Sequence, residues 1–325
     1  MTAPLISIFI VNYNTGDLLE QCLKSIFNAK GDLALEVFVA DNNSTDSSPE
    51  MVEAKFPEVS LTSYSKNMGY TKAINALLPL GKGEYCLLVH PDLEILPNTL
   101  KQFVEFFECY PQAGILGGNL YYPDGTPNPC EMLSPGFKND LLWFAVRLFK
   151  KLPGGRKLVG DFNPMEWSHK STSQVNWVWN ACMMVRREVF EKIGYFDNRF
   201  FVWYADWDIC RRAVDEGWQV YYVRQAIAIH HERQSFSNGN ITSEKIRYKV
   251  DGWYSAARQM QDRHLFLRKY CSLGSIYGIK SIHILENFLR MWLILANFVS
   301  RRTMSNEASF QVRMCLQTIQ AILRA

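Results

Sequence analysis

Short apolar runs alternate with amphipathic stretches along the first hundred residues, and each run ends on a polar cluster. Residues 5–11, Leu-Ile-Ser-Ile-Phe-Ile-Val, have the length of a buried strand and lead into Asn12-Tyr13-Asn14. Leu18, Leu19, Cys22, Leu23, Ile26 and Phe27 then recur at the spacing of one helix face. Residues 36–40 predict a second strand that ends at Asp41-Asn42-Asn43-Ser44-Thr45-Asp46. A third strand at 59–63 is followed by a helix over about 70–80, and a fourth at 85–89 by a helix over about 97–110. This succession predicts an α/β domain with a mixed, mostly parallel sheet flanked by helices.

The pattern changes near residue 120. Residues 121–172 are rich in Pro, Gly, Asn and Asp and include the turn signal Tyr122-Pro123-Asp124-Gly125. They predict hairpins and loops with a short helix at 141–149. Strands are expected at 175–179 and 182–185, then a helix at 187–193 and another from near Asp206 to Glu216, stopped by Gly217. Residues 218–223 and 226–229 close the sheet at His230-His231, and from about 240 onward the pattern is helical with clustered Arg and Lys. The expected division is a catalytic domain over 1–238, in halves 1–120 and 121–238, and a helical region over 239–325.

Composition narrows the class. With 48% hydrophobic and 21% charged residues the chain is globular, and a formal net charge of +3 gives no argument for nucleic acid as a partner. The eight cysteines stand singly, so no Cys-x-x-Cys metal or redox pair exists. Several lie in apolar runs as small buried hydrophobes, which fits a reducing, cytoplasmic setting. The first apolar run is too short for a signal peptide, and no stretch reaches the roughly 18 apolar residues of a membrane span. Neither a G-x-G-x-x-G nor a G-x-x-x-x-G-K-[ST] element is present, which argues against NAD-type dinucleotide binding and P-loop chemistry.

Two acidic clusters carry the candidate chemistry. His90-Pro91-Asp92-Leu93-Glu94 follows the run at 85–89, and Tyr204-Ala205-Asp206-Trp207-Asp208 follows Phe200-Phe201-Val202-Trp203. Carboxylates just past buried strands stand at the rim of a sheet, where open α/β proteins bind ligands. Converging on one cleft, they could hold a divalent cation and supply a general base. Each is equally accounted for, taken alone, by a turn or a helix cap. Asp41 could accept hydrogen bonds from a nucleobase or ribose, within a loop that is also an ordinary Asx turn.

Taken in order, these segments resemble the inverting glycosyltransferases of family 2, of GT-A fold, in their bacterial rhamnosyltransferase-like branch. The matching residues are Ser7 to Asn14, Val39 to Asp46, Asn67-Met68-Gly69-Tyr70-Thr71-Lys72 to Asn75, and Val89-His90-Pro91-Asp92. Trp179-Asn180-Ala181-Cys182, Gly194-Tyr195-Phe196-Asp197, Phe200 to Cys210 and His230-His231 continue the series. The resemblance implies donor contacts at Val11, Asn12, Tyr13, Asn14, Asp41, Asn43, Asn67, Gly69, Lys72 and Asp92. It implies Mg²⁺ or Mn²⁺ at Asp92 with His230, although His231 is an alternative, and a catalytic base at Asp206. Acceptor contacts are expected at Trp179, Asn180, Trp203, Tyr204 and Asp208. Trp167, Trp177 and Trp207 belong to the same aromatic set, part core and part acceptor groove.

Two positions depart from the family pattern. Ala205 stands where an acidic residue is common, and His90 where asparagine is common; His90 either adds a ligand or fills the asparagine's place. The implied reaction moves a sugar, rhamnose from dTDP-rhamnose or a sugar from a UDP donor, to a hydroxyl of a surface polysaccharide or lipid-linked oligosaccharide. The alternative is a non-catalytic GT-A-like module that binds glycan or scaffolds a complex. Residues 276–302 set apolar positions at helical spacing between basic flanks, so they either lie at the inner face of an anionic membrane or pack on the protein, or on a second copy in a homo-oligomer.

Overall fold

The computed structural model describes residues 5–128, 136–151, 171–231, 256–301 and 306–324. They fall into two compact units, one drawn from residues 1–132 and 167–246 and the other from 133–166 and 247–325.

The first unit is built on a nine-stranded sheet. Strands β1 (Leu5–Asn12), β2 (Ala34–Asp41), β3 (Val59–Ser63) and β4 (Tyr85–Val89) lie parallel in the order β3-β2-β1-β4. Helices α1 (Gly16–Ala29), α2 (Ser48–Lys55) and α3 (Tyr70–Leu77) make the crossovers. Ile6, Ile8, Phe9 and Ile10 are all fully buried, as a strand covered on both faces requires. Beyond β4 the sheet turns mixed. β5 (Leu93–Ile95), α4 (Thr99–Cys109), β6 (Ala113–Tyr121), β7 (Ser173–Val175) and β8 (Cys182–Arg186) follow in the chain. The unit closes with α6 (Arg187–Ile193), α7 (Ala205–Asp215) and β9 (Gln219–His230). β8 runs antiparallel to both β4 and β6, and β9 pairs with β6, β5 and β7.

Several elements differ from the sequence reading, α2 and β5 among them, since neither was expected. β6 carries Gly114, Gly117 and Gly118, which dilute a strand pattern; at Gly117 a Cβ would lie 2.4 Å from the Val178 side chain, so only glycine allows this approach. The strand expected at 175–179 is only Ser173–Val175, and the irregular backbone after it carries Trp177 to Asn180. The two strands expected at 218–223 and 226–229 are one, with a register shift opposite Gly118 and Asn119.

The second unit is helical: α5 (Phe137–Lys151), α8 (Ala256–Tyr270), α9 (Leu273–Arg301) and α10 (Asn306–Arg324). Helix α5 groups with these C-terminal helices, although its place in the chain assigned it to the 121–238 half. Asp140 of α5 is buried and ion-paired with Arg263, with His283 Nε2 at 3.3 Å. Burial pushes the Asp140 carboxyl up, but His283 and Arg263 outweigh it and leave the group below its ordinary value. Cys22, Cys86, Cys182, Cys210 and Cys315 are buried free thiols, as their apolar settings predict.

Candidate active site

The candidate residues meet at the rim of the first unit's sheet, where β1, β2, β4 and β9 end. Parallel pairing sets Asn12 opposite Asp41. Asn12 Nδ2 donates to Asp41 Oδ1 at 2.9 Å and to Ser44 Oγ at 3.1 Å, and the Ser44 N–H donates to Asp41 Oδ2 at 2.9 Å. Both Asp41 oxygens therefore shape the loop that follows. Asn14 and Asn43 take the left-handed backbone that asparagine tolerates, and Asn14 Oδ1 accepts the Thr45 N–H at 2.7 Å. Val11 is buried beneath them and Tyr13 is half-buried.

Fully buried Asn42 joins this loop to the next. Its Nδ2 donates to Asn67 Oδ1 at 3.2 Å, its Oδ1 accepts the Met68 N–H at 2.9 Å, and Asn67 Oδ1 also accepts the Gly69 N–H at 3.0 Å. Gly69 has φ +85°, and a Cβ there would lie 2.6 Å from the Phe201 ring. Lys72 is exposed on the first turn of α3. Helix α3 is strapped to the segment leading into α7. The Tyr70 N–H donates to Phe201 O at 2.7 Å, the Thr71 hydroxyl donates to Phe200 O, and Asn75 Nδ2 donates to Phe196 O at 2.6 Å.

Asp92 sits between β4 and β5. The short strand β5 pairs Leu93 with His230, and the His231 N–H donates to Asp92 O at 2.8 Å, so the ends of two distant strands are tied at this point. His90, Asp92 and His230 each offer a ligand atom, all within 4.8 Å of one another. His230 Nε2 lies 3.4 Å from Asp92 Oδ1. Burial pushes the His90 imidazole down to about 4, against the pull of Asp92, which leaves the ring neutral with a lone pair to donate. One carboxylate and two imidazoles could together hold a divalent cation. His231 faces Glu94 at 3.5 Å and stands outside this group.

Asp206 lies in the first turn of α7, two residues after the helix's N-cap Tyr204, whose φ is +65°. Burial pushes its carboxyl up to about 7, while backbone N–H groups of Trp207, Asp206 and Asn180 pull the other way. The Trp207 N–H donates to Asp206 Oδ1 at 2.9 Å. Tyr70 is a residue that motif reading quoted without assigning a role. Its ring meets His90 edge-on at 5.8 Å, and its hydroxyl is buried beside the Asn180 side chain. Burial, reinforced by the Asp206 charge, pushes that hydroxyl up, while Asn180 pulls the other way. An aromatic residue immediately after Asn-Met-Gly is the only sequence signal that could have found it.

Among the acceptor candidates, Trp179, Trp203 and Tyr204 are half-buried and Asn180 is buried. Trp179 approaches His230 edge-on at 6.2 Å. Trp177 and Trp207 are core, stacked with centroids 4.1 Å apart, and Trp167 lies outside the described residues. Asp208, expected on the acceptor side, is fully buried and receives Arg212 Nε at 2.9 Å. Arg212 in turn donates to Ile193 O and Tyr195 O at 2.7 Å, so this carboxylate works inside the protein.

Residues 7–194 match the family model for glycosyl transferase family 2, more than half of the chain. The chain belongs to glycosyl transferase family 2. It is 28% identical over 252 residues to the N-acetylglucosaminyl-diphospho-decaprenol L-rhamnosyltransferase of Mycobacterium tuberculosis, covering 71% of this chain and 77% of that protein. It is 29% identical to the O-antigen biosynthesis protein RfbC of Myxococcus xanthus, over 71% of this chain and 18% of that protein. These likenesses agree with the rhamnosyltransferase-like branch expected from the motifs. The mannosyltransferase PcManGT of Pyrobaculum calidifontis, solved with GDP-Man and Mn²⁺, superposes with a TM-score of 0.54 at 15% identity, covering 99% of this chain and 87% of that one. The fold of this glycosyltransferase is therefore GT-A.

Proposed function

We propose that the protein transfers a sugar from a nucleotide diphosphate to an acceptor hydroxyl with inversion, and that Asp206 is the general base. The observation that carries this reading is a carboxyl held near 7 in the first turn of a helix strapped to the nucleotide-side loops. Its charge acts on Tyr70, the ring that meets His90 of the His90, Asp92 and His230 group. Asp206 takes the acceptor's proton as that oxygen attacks the anomeric carbon; the bond to the diphosphate oxygen breaks, and a nucleoside diphosphate leaves. A cation held by Asp92 and His230, with His90 as a third donor, would offset charge on that leaving group. The loops around Asn12, Asp41 and Asn67 are the nucleotide side, and Trp179, Asn180, Trp203 and Tyr204 the acceptor side.

The mycobacterial relative's name supports rhamnose as the sugar and a lipid-linked saccharide as acceptor; dTDP-rhamnose is the donor that the motif resemblance implies, with UDP-sugars as the second choice. Thermal-shift screening of nucleotide sugars with and without Mn²⁺ tests the donor, because only a true ligand stabilises by mass action. A shift that needs Mn²⁺ and is followed by turnover supports the transferase. A shift with no turnover toward any lipid-linked or polysaccharide acceptor favours the binding-module alternative, for which Ala205 is the motive.

A lipid-linked acceptor places the reaction at the cytoplasmic face of a membrane, and helix α9 supports peripheral attachment there. No helix among the described residues is long and apolar enough to cross a membrane. Leu273, Tyr277, Leu285, Phe288, Trp292 and Leu295 instead form one exposed apolar stripe, with Trp292 65% exposed. The acids of the four helices of this unit are only Asp140, Asp262, Glu286 and Glu307, and Asp140 and Glu286 are paired with Arg263 and Arg147. Excess basic charge attracts anionic lipid and repels a second copy. Flotation with anionic vesicles at low salt, lost in a Phe288→Glu/Trp292→Glu variant that still folds, is the expected result; salt-independent dimerisation without flotation would overturn it.

A further inference from the structure

Asn128 belongs to no motif, yet it is fully buried against His230. Its position follows from local structure. The chain leaves β6 through the Tyr122-Pro123-Asp124-Gly125 turn, closed by the Gly125 N–H on Tyr122 O at 2.9 Å and the Tyr122 N–H on Thr126 O at 2.8 Å. It then returns beside β6, where Pro127 bridges Tyr121 and the Asn128 N–H donates to Leu120 O at 2.9 Å. Because β6 and β9 run parallel in register, with Tyr121 opposite Ile229, this return brings the Asn128 side chain to His230. The amide Nδ2 lies 3.0 Å from His230 Nδ1, and Asn128 Oδ1 is buried with no hydrogen-bond partner.

We propose that Asn128 is a positioning residue for the cation site, holding the His230 ring in the tautomer that presents Nε2 to a divalent ion. The inference rests on the reading of Asp92 and His230 as metal ligands. A neutral imidazole carries one proton on its two nitrogens, and the partner of one nitrogen decides the role of the other. With Nδ2 donating to Nδ1, the ring proton sits on Nε2 and faces Asp92 Oδ1. Turning the amide by half a revolution brings Oδ1 to Nδ1–H and leaves the Nε2 lone pair beside Asp92. The turn exchanges one hydrogen bond for one, since Oδ1 has no partner to lose. An amide, unlike a carboxylate or an aliphatic side chain, can serve both the metal-free and the metal-bound ring. Such outer partners of ligating histidines typically contribute about 10–100-fold in metal affinity.

The test is Mn²⁺ binding to the full chain, followed by electron paramagnetic resonance of the free ion, for wild type, Asn128→Leu and Asn128→Asp. Leu has a similar volume but no acceptor, so Mn²⁺ affinity should fall about 10–100-fold. Asp accepts Nδ1–H, so it should hold Mn²⁺ at least as tightly as Asn. Equal affinity in wild type and Asn128→Leu would overturn the inference while leaving the metal site standing. A wild type that holds no Mn²⁺ would overturn both. If Asn128→Leu does not fold, ring ¹⁵N shifts of His230 in the wild type loaded with diamagnetic Zn²⁺, which takes imidazole nitrogen, decide: a proton on Nδ1 supports the proposal, and a proton on Nε2 refutes it.

Discussion

Replacing Asp206 by Asn tests the base and its electrostatic setting together. The change keeps size and shape but removes the proton acceptor, so turnover should fall by about 10²–10⁴ with little change in donor affinity. The wild-type carboxyl, held up to about 7 by burial, adds a pH signature. About one tenth is ionised at pH 6 and about nine tenths at pH 8, so wild-type kcat/KM should rise about tenfold across that interval. Stability runs in the opposite direction. Between the ordinary value of 3.8 and about 7 the folded protein keeps a proton that the unfolded chain releases, so stability is full at low pH and declines as pH rises through that window. Each pH unit is worth about 1.4 kcal/mol, and with the side chain still within reach of water the total should be about 2 kcal/mol. The amide of the Asp206→Asn variant never ionises, so the variant should match wild type at pH 4 and exceed it by about that amount at pH 8. Steady-state rates over pH 5.5–8.5, with chemical denaturation in EDTA at both ends, read out each effect. Near wild-type turnover, or equal stability at both pH values, would refute the argument.

Two further substitutions probe the scaffold around the site. Gly69→Ala forces a side chain onto φ +85° and into the Phe201 ring, so stability should drop by about 1–3 kcal/mol and donor affinity should fall with it; unchanged thermal unfolding would contradict the close approach. Asp208→Ala strands Arg212 beside the α6–α7 turn, and denaturant midpoints should report a loss of about 3 kcal/mol. At a temperature where the variant is still folded, its kcat should remain close to wild type. A large kcat loss there would return Asp208 to the acceptor site.

The parallel half of the sheet was legible because β1, β2, β3 and β4 are apolar runs between helix-period stretches, and their bounds fall within two residues of those expected. Asp92 and His230 could be placed for the same reason, since one follows the end of β4 and the other ends β9. Asp206 instead follows Phe200 to Trp203, an aromatic run that is not a strand, and opens a helix. What was hidden depends on contacts between distant segments. Strand β6 had no place in the pattern, because three glycines interrupt its apolar run, and the tight approach of Val178 to Gly117 shows only in the folded chain. Helix α5 joins distant C-terminal helices through Asp140 and Arg263, a pairing over more than a hundred positions that no local pattern encodes. Tyr70 matters through its contacts with His90 and Asn180, Asn128 through its contact with His230, and Asp208 through an ion pair; composition and spacing say nothing about any of them.

The central claim is metal-assisted release of a nucleoside diphosphate from a nucleotide sugar. Its most direct measurement is diphosphate release from dTDP-rhamnose and UDP-sugars by wild type and Asp92→Ala, each with Mn²⁺ and with excess EDTA. The account predicts release by wild type from one donor class in Mn²⁺, raised by a lipid-linked acceptor, and none in EDTA or in Asp92→Ala. Release undiminished by EDTA, or by loss of the Asp92 carboxylate, would contradict it.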